Sequence, residues 1–205
     1  MLNLFIGGIG SCALASHIAL EEAGADYKVT RLNFKNDEQR SPDYLKINPK
    51  ARVPALLTDK GIITETPAIL LYIAQTHAHA KLAPLDVFEL AKMQDFNSYL
   101  CSTVHPHHAH RIRGYRWSDE PVVIEALKVK VPQNISDCFA IIEHDYFKGP
   151  WVMGEQITVA DIYLYTLATW LEEDKVDINA FPKVKLHRET MAARPAVKKV
   201  RATYA

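Results

Sequence analysis

The chain has no charge surplus, few cysteines and no long apolar run, and each absence removes a class of function. Lysine plus arginine number 24, and aspartate plus glutamate number 24, in 205 residues, so the formal net charge is zero. A nucleic-acid binder ordinarily carries a basic surplus, so no nucleic-acid partner is expected. No apolar stretch reaches the ~20 residues that span a bilayer, so no membrane partner is expected either. The start, Met1 to Ile6, lacks a basic segment and runs into Gly7 and Gly8, unlike a secretory signal. Cys12, Cys101 and Cys138 are odd in number and far apart. They point to a reducing compartment, hence the cytoplasm, without a disulfide framework. There is no Cys-x-x-Cys pair, internal repeat or low-complexity tract. A content of 48% hydrophobic and 23% charged residues is ordinary for a globular chain with a sizeable core, in one large domain or two small ones.

The first part alternates strand and helix signals. Leu2 to Ile6 is a short apolar run closed by glycines. Ser11 to Ala23 carries Leu14, Ile18 and Leu20 at helical spacing and stops at Gly24. Tyr27 to Phe34 alternates as a strand. Asp43 to Ile47 is a short helix ended by Asn48-Pro49. Val53 to Leu57 and Ile62 to Thr64 flank Asp59-Lys60-Gly61, a hairpin signal. Thr66 to Thr76 is a helix. The expected order is β-α-β-α-β-β-α over residues 1–78, with a linker at 79–86. Residues 87–205 then read as helix throughout: Val87 to Arg113 interrupted at Pro106, Pro121 to Phe147 kinked or split at Pro132, Thr158 to Leu171, Pro182 to Ala193, and Pro195 to about Thr203.

Several short motifs carry chemistry. Val53-Pro54 opens a strand, either as a trans edge residue or as a cis bond that turns the backbone of Val53 toward a ligand. In Glu65-Thr66-Pro67, Thr66 falls at an N-cap and Pro67 at the first helical position. Such a helix start offers free N–H groups and partial positive charge to an anion, and Glu65 can accept an ammonium. Cys12 opens the first helix. By position it is either a small buried residue or a thiol whose pKa the helix end lowers. Ser98, Cys101, Ser102 and His105 fall at i, i+3, i+4 and i+7 and would share a polar helix face. His105, His107, His108 and His110 invite a metal, but no acid or cysteine partner has regular spacing, so no metal is expected. Thr158 and Asp161 form a capping box, a structural element. Tyr115, Trp117 and Trp170 are candidate pocket walls.

The chain resembles the cytosolic glutathione transferases over essentially its whole length. The resemblance is carried by Asn48-Pro49-Lys50, Val53-Pro54-Ala55-Leu56, Thr64 to Ile69 with Tyr72-Ile73-Ala74, and Ile157 to Leu164. Gly10 to Leu20 is similar to the bacterial beta class in particular. The resemblance implies an α/β thioredoxin-like N-terminal domain followed by an all-α C-terminal domain that forms the electrophile pocket. It implies glutathione as co-substrate, conjugation of the glutathione sulfur to small hydrophobic electrophiles, glutathione-dependent thiol-disulfide exchange at Cys12, and a homodimer. It further implies a cis Val53-Pro54 bond, with Pro54 structural. Catalysis would fall to Cys12 and His105, and glutathione contacts to Cys12, Lys35, Val53, Glu65, Thr66, Ser98, Ser102 and His105. Lys35 is otherwise a solvated lysine. Ser98 stands where the family has an asparagine, and Pro106 where it has a lysine. The alternative is a non-catalytic interaction protein on the same fold.

Overall fold

A computed structural model describes residues 1–204. Four strands form one mixed sheet in the order β2-β1-β3-β4: β1 (Leu2–Ile6), β2 (Tyr27–Arg31), β3 (Ala55–Thr58) and β4 (Gly61–Thr64). β1 pairs with β2 in parallel, with Leu4 opposite Val29, and antiparallel to β3, with Leu4 opposite Leu56. Asp59 and Lys60 make the two-residue β3–β4 turn, and Gly61 takes φ 136°, a conformation closed to side-chain-bearing residues at low cost. β2 ends earlier than its alternation predicts. The Asn33 side chain accepts the Lys35 N–H at 3.0 Å and curls Phe34–Asn36 into a 3-10 turn.

The helices of this part are α1 (Ala13–Glu22), α2 (Pro42–Ile47) and α3 (Thr66–Thr76). Helix α1 is buried from Ala13 to Leu20 on all sides. A helix apolar all round must be covered all round, and α1 packs between the sheet, α3, α7 (Val159–Ala168) and α9 (Pro195–Ala202). Helix α7 is likewise buried along its whole length. The core therefore runs through both parts of the chain, with α1 and α7 at its centre.

The remaining helices are α4 (Val87–Tyr99), α5 (His105–Arg113), α6 (Pro121–Ile141) and α8 (Pro182–Ala193). Pro106 does not interrupt the first of these runs as expected. A π turn at Leu100–Val104 joins α4 to α5, and the His105 N–H reaches the Leu100 carbonyl. That wider turn seats Pro106, which has no N–H, near the start of α5. Pro132 lies inside α6 without splitting it. Asp161 seals the start of α7: its carboxylate accepts the Val152 and Thr158 N–H groups, both at 2.8 Å, and the Thr158 hydroxyl at 3.1 Å. His187 lies 3.2 Å from the same carboxylate. The capping box is present as expected.

Candidate active site

A cleft of about 550 Å³ lies between the β1–α1 loop, the loop before β3, the start of α3, and α5 with the turn after it. Cys12, Val53, Pro54, Glu65, Thr66 and His105, expected from dispersed parts of the sequence, all line it. So do the three aromatic wall candidates, Tyr115, Trp117 and Trp170.

The loop before β3 is held open by buried polar groups. Asn48, fully buried, donates to the Arg52 carbonyl at 2.7 Å and accepts the Lys50 N–H at 3.2 Å. The Tyr44 hydroxyl donates to the same Arg52 carbonyl at 2.6 Å. The Val53–Pro54 bond is cis. The Val53 N–H meets no backbone acceptor among the described residues, and Val53 lines the cleft.

At the start of α3 the arrangement differs from expectation by one residue. Glu65, not Thr66, holds the N-cap position, at φ 74°, and Thr66 is the first helical residue. A proline at the second position has no N–H, so the free donors of this turn are the backbone groups of Thr66 and Ala68. Ile69 is the first to bond back, to the Glu65 carbonyl at 3.0 Å. The Glu65 carboxylate is paired with the Lys50 ammonium, which also donates to the Thr64 hydroxyl at 2.6 Å. Asp37, Ala51 and Glu65 all have positive φ and all line the cleft. Strained backbone of this kind gathers at binding sites, where the surrounding structure over-determines it.

Cys12 caps α1 and its thiol donates to the Val53 carbonyl at 3.5 Å. Burial pushes the thiol up from its ordinary value of 9.0, against the opposing pull of the Thr66 hydroxyl and the Arg113 charge. Of the two readings of this position, burial prevails over lowering by the helix end, because desolvation of a thiolate outweighs a partial dipole charge. The neighbouring Ser11 hydroxyl is buried without a protein partner and also lines the cleft.

His105 packs on Trp170 with ring centroids 5.1 Å apart. Burial, then His108 and the charges of Arg113, Arg52 and Arg116, lower its pKa to about 3. It is a neutral imidazole at physiological pH, able to donate from one nitrogen and accept at the other. Behind it, His108 stacks on Trp170 at 4.1 Å and bonds the buried Asp174 carboxylate at 2.6 Å, with Arg111 Nε 3.1 Å from the same carboxylate. The sequence reading missed this brace, because Asp174 lies 66 positions away on a loop.

Lys35, Ser98 and Ser102 do not line the cleft of this chain, and the contact that the resemblance implies for Ser98 is to glutathione in a neighbouring subunit. Lys35 is exposed on the 3-10 turn, while its neighbour Phe34 lines the wall. Ser98 and Ser102 are exposed and absent from the lining. The π turn at Leu100–Val104 contains Cys101 and Ser102 and shifts the helical register, so of the four residues expected on one face only Cys101 and His105 meet at the cleft. Asn97, beside Ser98, points inward and is fully buried with an unpaired amide. Of the other histidines, His107 meets Asn134 at 3.3 Å and packs edge-on to His110 at 5.8 Å, and His110 packs on Trp117 at 4.4 Å. Among the described residues no group of three or more His, Cys, Asp or Glu side chains could hold a metal ion.

A thioredoxin-like sheet, a cleft with an open backbone donor and helix N-terminus, and a helical opposite wall define a thiol-peptide-binding protein. Residues 2–75 match the glutathione S-transferase N-terminal domain, and residues 111–195 match its C-terminal domain. A glutathione transferase homolog from Sulfitobacter, solved with bound glutathione, is 40% identical, covers 99% of this chain and 98% of its own, and superposes with a TM-score of 0.95. A bacterial beta class enzyme from Sphingomonas chungbukensis is 29% identical over 99% of this chain and 98% of its own, with a TM-score of 0.86. Glutathione S-transferase GstA of Escherichia coli O157:H7 is 29% identical over 92% of both chains. The chain belongs to the glutathione S-transferase family, and the solved structures it resembles include a bacterial beta class enzyme. No helix among the described residues is long and apolar enough to cross a membrane.

Proposed function

We propose that this enzyme activates the sulfur of glutathione for attack on a small electrophile. Residues 1–78 hold the tripeptide, 79–86 link the two parts, and 87–205 wall the electrophile. The cysteinyl backbone pairs with Val53. The γ-glutamyl carboxylate sits on the free N–H groups of Thr66 and Ala68, and its ammonium on Glu65. The sulfur then lies toward Cys12, Ser11 and His105. A free cysteine-type thiol is only ~3% ionised at neutral pH, and lowering its pKa by ~2 units takes roughly 2.7 kcal/mol. The Ser11 hydroxyl, the neutral His105 N–H and the N-terminus of α1 are donors of the right kind for that task. The glutathione thiol gives its proton to water. The sulfur lone pair forms the new carbon–sulfur bond, and the leaving group departs with its bonding pair.

The observation that carries this reading is the meeting, in one cleft, of the Val53 backbone, the Glu65–Thr66 helix start and the Cys12 thiol. Calorimetric titration with glutathione should give one site per chain. Chlorodinitrobenzene should release one chloride per conjugate formed. No heat with glutathione and no conjugate would reject the reading.

The same reading makes the protein a cytoplasmic homodimer. All three cysteines are free, as suits a reducing compartment. Leu85, Val87 and Phe88 stand exposed at the start of α4 and supply an apolar face for a second copy. Light scattering should return twice the 23.1 kDa chain mass.

A further inference from the structure

The charges of the cleft do not balance, although those of the whole chain do. Its lining holds Arg40, Arg52, Arg111, Arg113 and Arg116 against Asp37, Glu65 and Glu173. Each of those three acids already has a cation: Asp37 faces Arg40 at 3.8 Å, Glu65 pairs with Lys50, and Glu173 pairs with Arg111. Arg52, Arg113 and Arg116 have no carboxylate partner among the described residues. Arg113 is half-buried, and both its burial and the charges of Arg116 and Arg52 act against its protonated form. A partly buried cation crowded by like charges is costly, and a bound anion offsets that cost.

Glutathione accounts for only part of this surplus. In the reading above, which this inference rests on, its γ-glutamyl carboxylate lies at the start of α3. Its other carboxylate extends along the first-domain loops, where Arg40 and Arg52 stand. Arg113 ends α5, and Arg116 closes the 3-10 turn that follows, on the opposite wall. Ile112, Tyr115 and Trp117 line the same rim, at 57%, 54% and 49% exposure. Exposed apolar side chains thus flank two guanidinium groups without a carboxylate partner. Guanidinium forks match carboxylates and sulfonates, and they stack on aromatic planes.

We infer that the electrophile taken by this cleft is an anion, a carboxylate or sulfonate on an aromatic-sized apolar body, held by Arg113 and Arg116 against Tyr115 and Trp117. The apolar body lies on the rim and places its reactive carbon toward the sulfur. The acidic group anchors its far end.

The test uses two unreactive aryl ligands of nearly equal shape, dinitrobenzoate and dinitrobenzamide, titrated calorimetrically into the full-length protein saturated with glutathione. Dinitrobenzoate should bind about ten-fold more tightly, and high salt should narrow the gap. Arg116→Gln should lose most of that preference and leave dinitrobenzamide binding unchanged. Arg113→Gln should weaken the benzoate as well. Among reactive pairs, the chlorinated benzoate should be conjugated faster than its amide, each rate being divided by the uncatalysed one. Equal affinities, no benzoate binding, or equal weakening of both ligands by Arg116→Gln overturns the inference while leaving glutathione binding and conjugation standing. Absence of glutathione binding instead overturns the conjugation reading, and the same two titrations into the free protein still decide whether the arginines select an anion.

Discussion

The Cys12 thiol donates to the Val53 carbonyl, 3.5 Å away, and so joins the first helix to the loop before β3. This contact satisfies the thiol in its protonated form. It gives the residue a resting state in which it is a donor, not a nucleophile.

The rate of Cys12 alkylation in the ligand-free protein should therefore keep rising with pH through 9.0, the ordinary midpoint, without levelling off, because burial raises the value further. A midpoint at pH 7 or below would contradict this. Cys12→Ala should keep conjugation within about ten-fold, the worth of one hydrogen bond to sulfur. It should lose exchange with oxidised glutathione, in which the Cys12 thiolate takes one sulfur and releases the other as glutathione thiolate. Mass spectrometry of the mixed disulfide reads that step.

Glu65→Ala should abolish retention on immobilised glutathione and weaken calorimetric affinity by at least about ten-fold, since it removes a charged partner of the ammonium. Glu65→Gln, equal in shape, should fall between the two. Unchanged retention by the alanine variant would count against the site.

His105 should show no titration in the carbon-bound proton signals of its ring between pH 8 and pH 5, because its pKa lies at about 3. His17, buried against Tyr27 and Tyr204, is lowered to about 4 by desolvation and by Arg31 and Lys199, against the opposing pull of Glu21. Both values lie below the unfolded value of 6.5. The unfolded chain then binds more protons, so the stability is complete above pH 6.5 and is lost as pH falls toward 4. Each histidine contributes at most about 1.4 kcal/mol per pH unit. Urea midpoints across this window should decline, and His17→Gln should flatten the decline.

Asp161→Ala should cost about 3 kcal/mol of folding stability, because it strands two buried N–H groups, a hydroxyl and His187 in the core. The folded fraction should retain its glutathione affinity. A stability loss below about 0.5 kcal/mol would show that the capping box carries little.

Much of this was legible in the sequence, and the reasons differ by element. Thr66–Thr76 and Pro182–Ala193 match their expected limits because each combines a proline near its start with an uninterrupted apolar period. The cleft residues Cys12, Val53, Glu65 and His105 were legible through motifs whose spacing the fold preserves. The exposed positions of Lys35 and Ser102 were not, because they depend on the Asn33 side chain that curls one turn and on a π turn that no apolar pattern announces. Arg113 and Arg116 were invisible for another reason. Basic residues at a helix end look like ordinary dipole partners until the absence of nearby carboxylates is seen in three dimensions.

The π turn at Leu100–Val104 also acts as an angular setting for everything that follows it. Its i→i+5 bond fits one residue more than a regular helix holds into the same arc, so α5 keeps its facing although the chain is one residue longer. A further residue that the turn did not absorb would rotate α5 by about 100° and carry the His105 imidazole and the guanidinium wall off the cleft together.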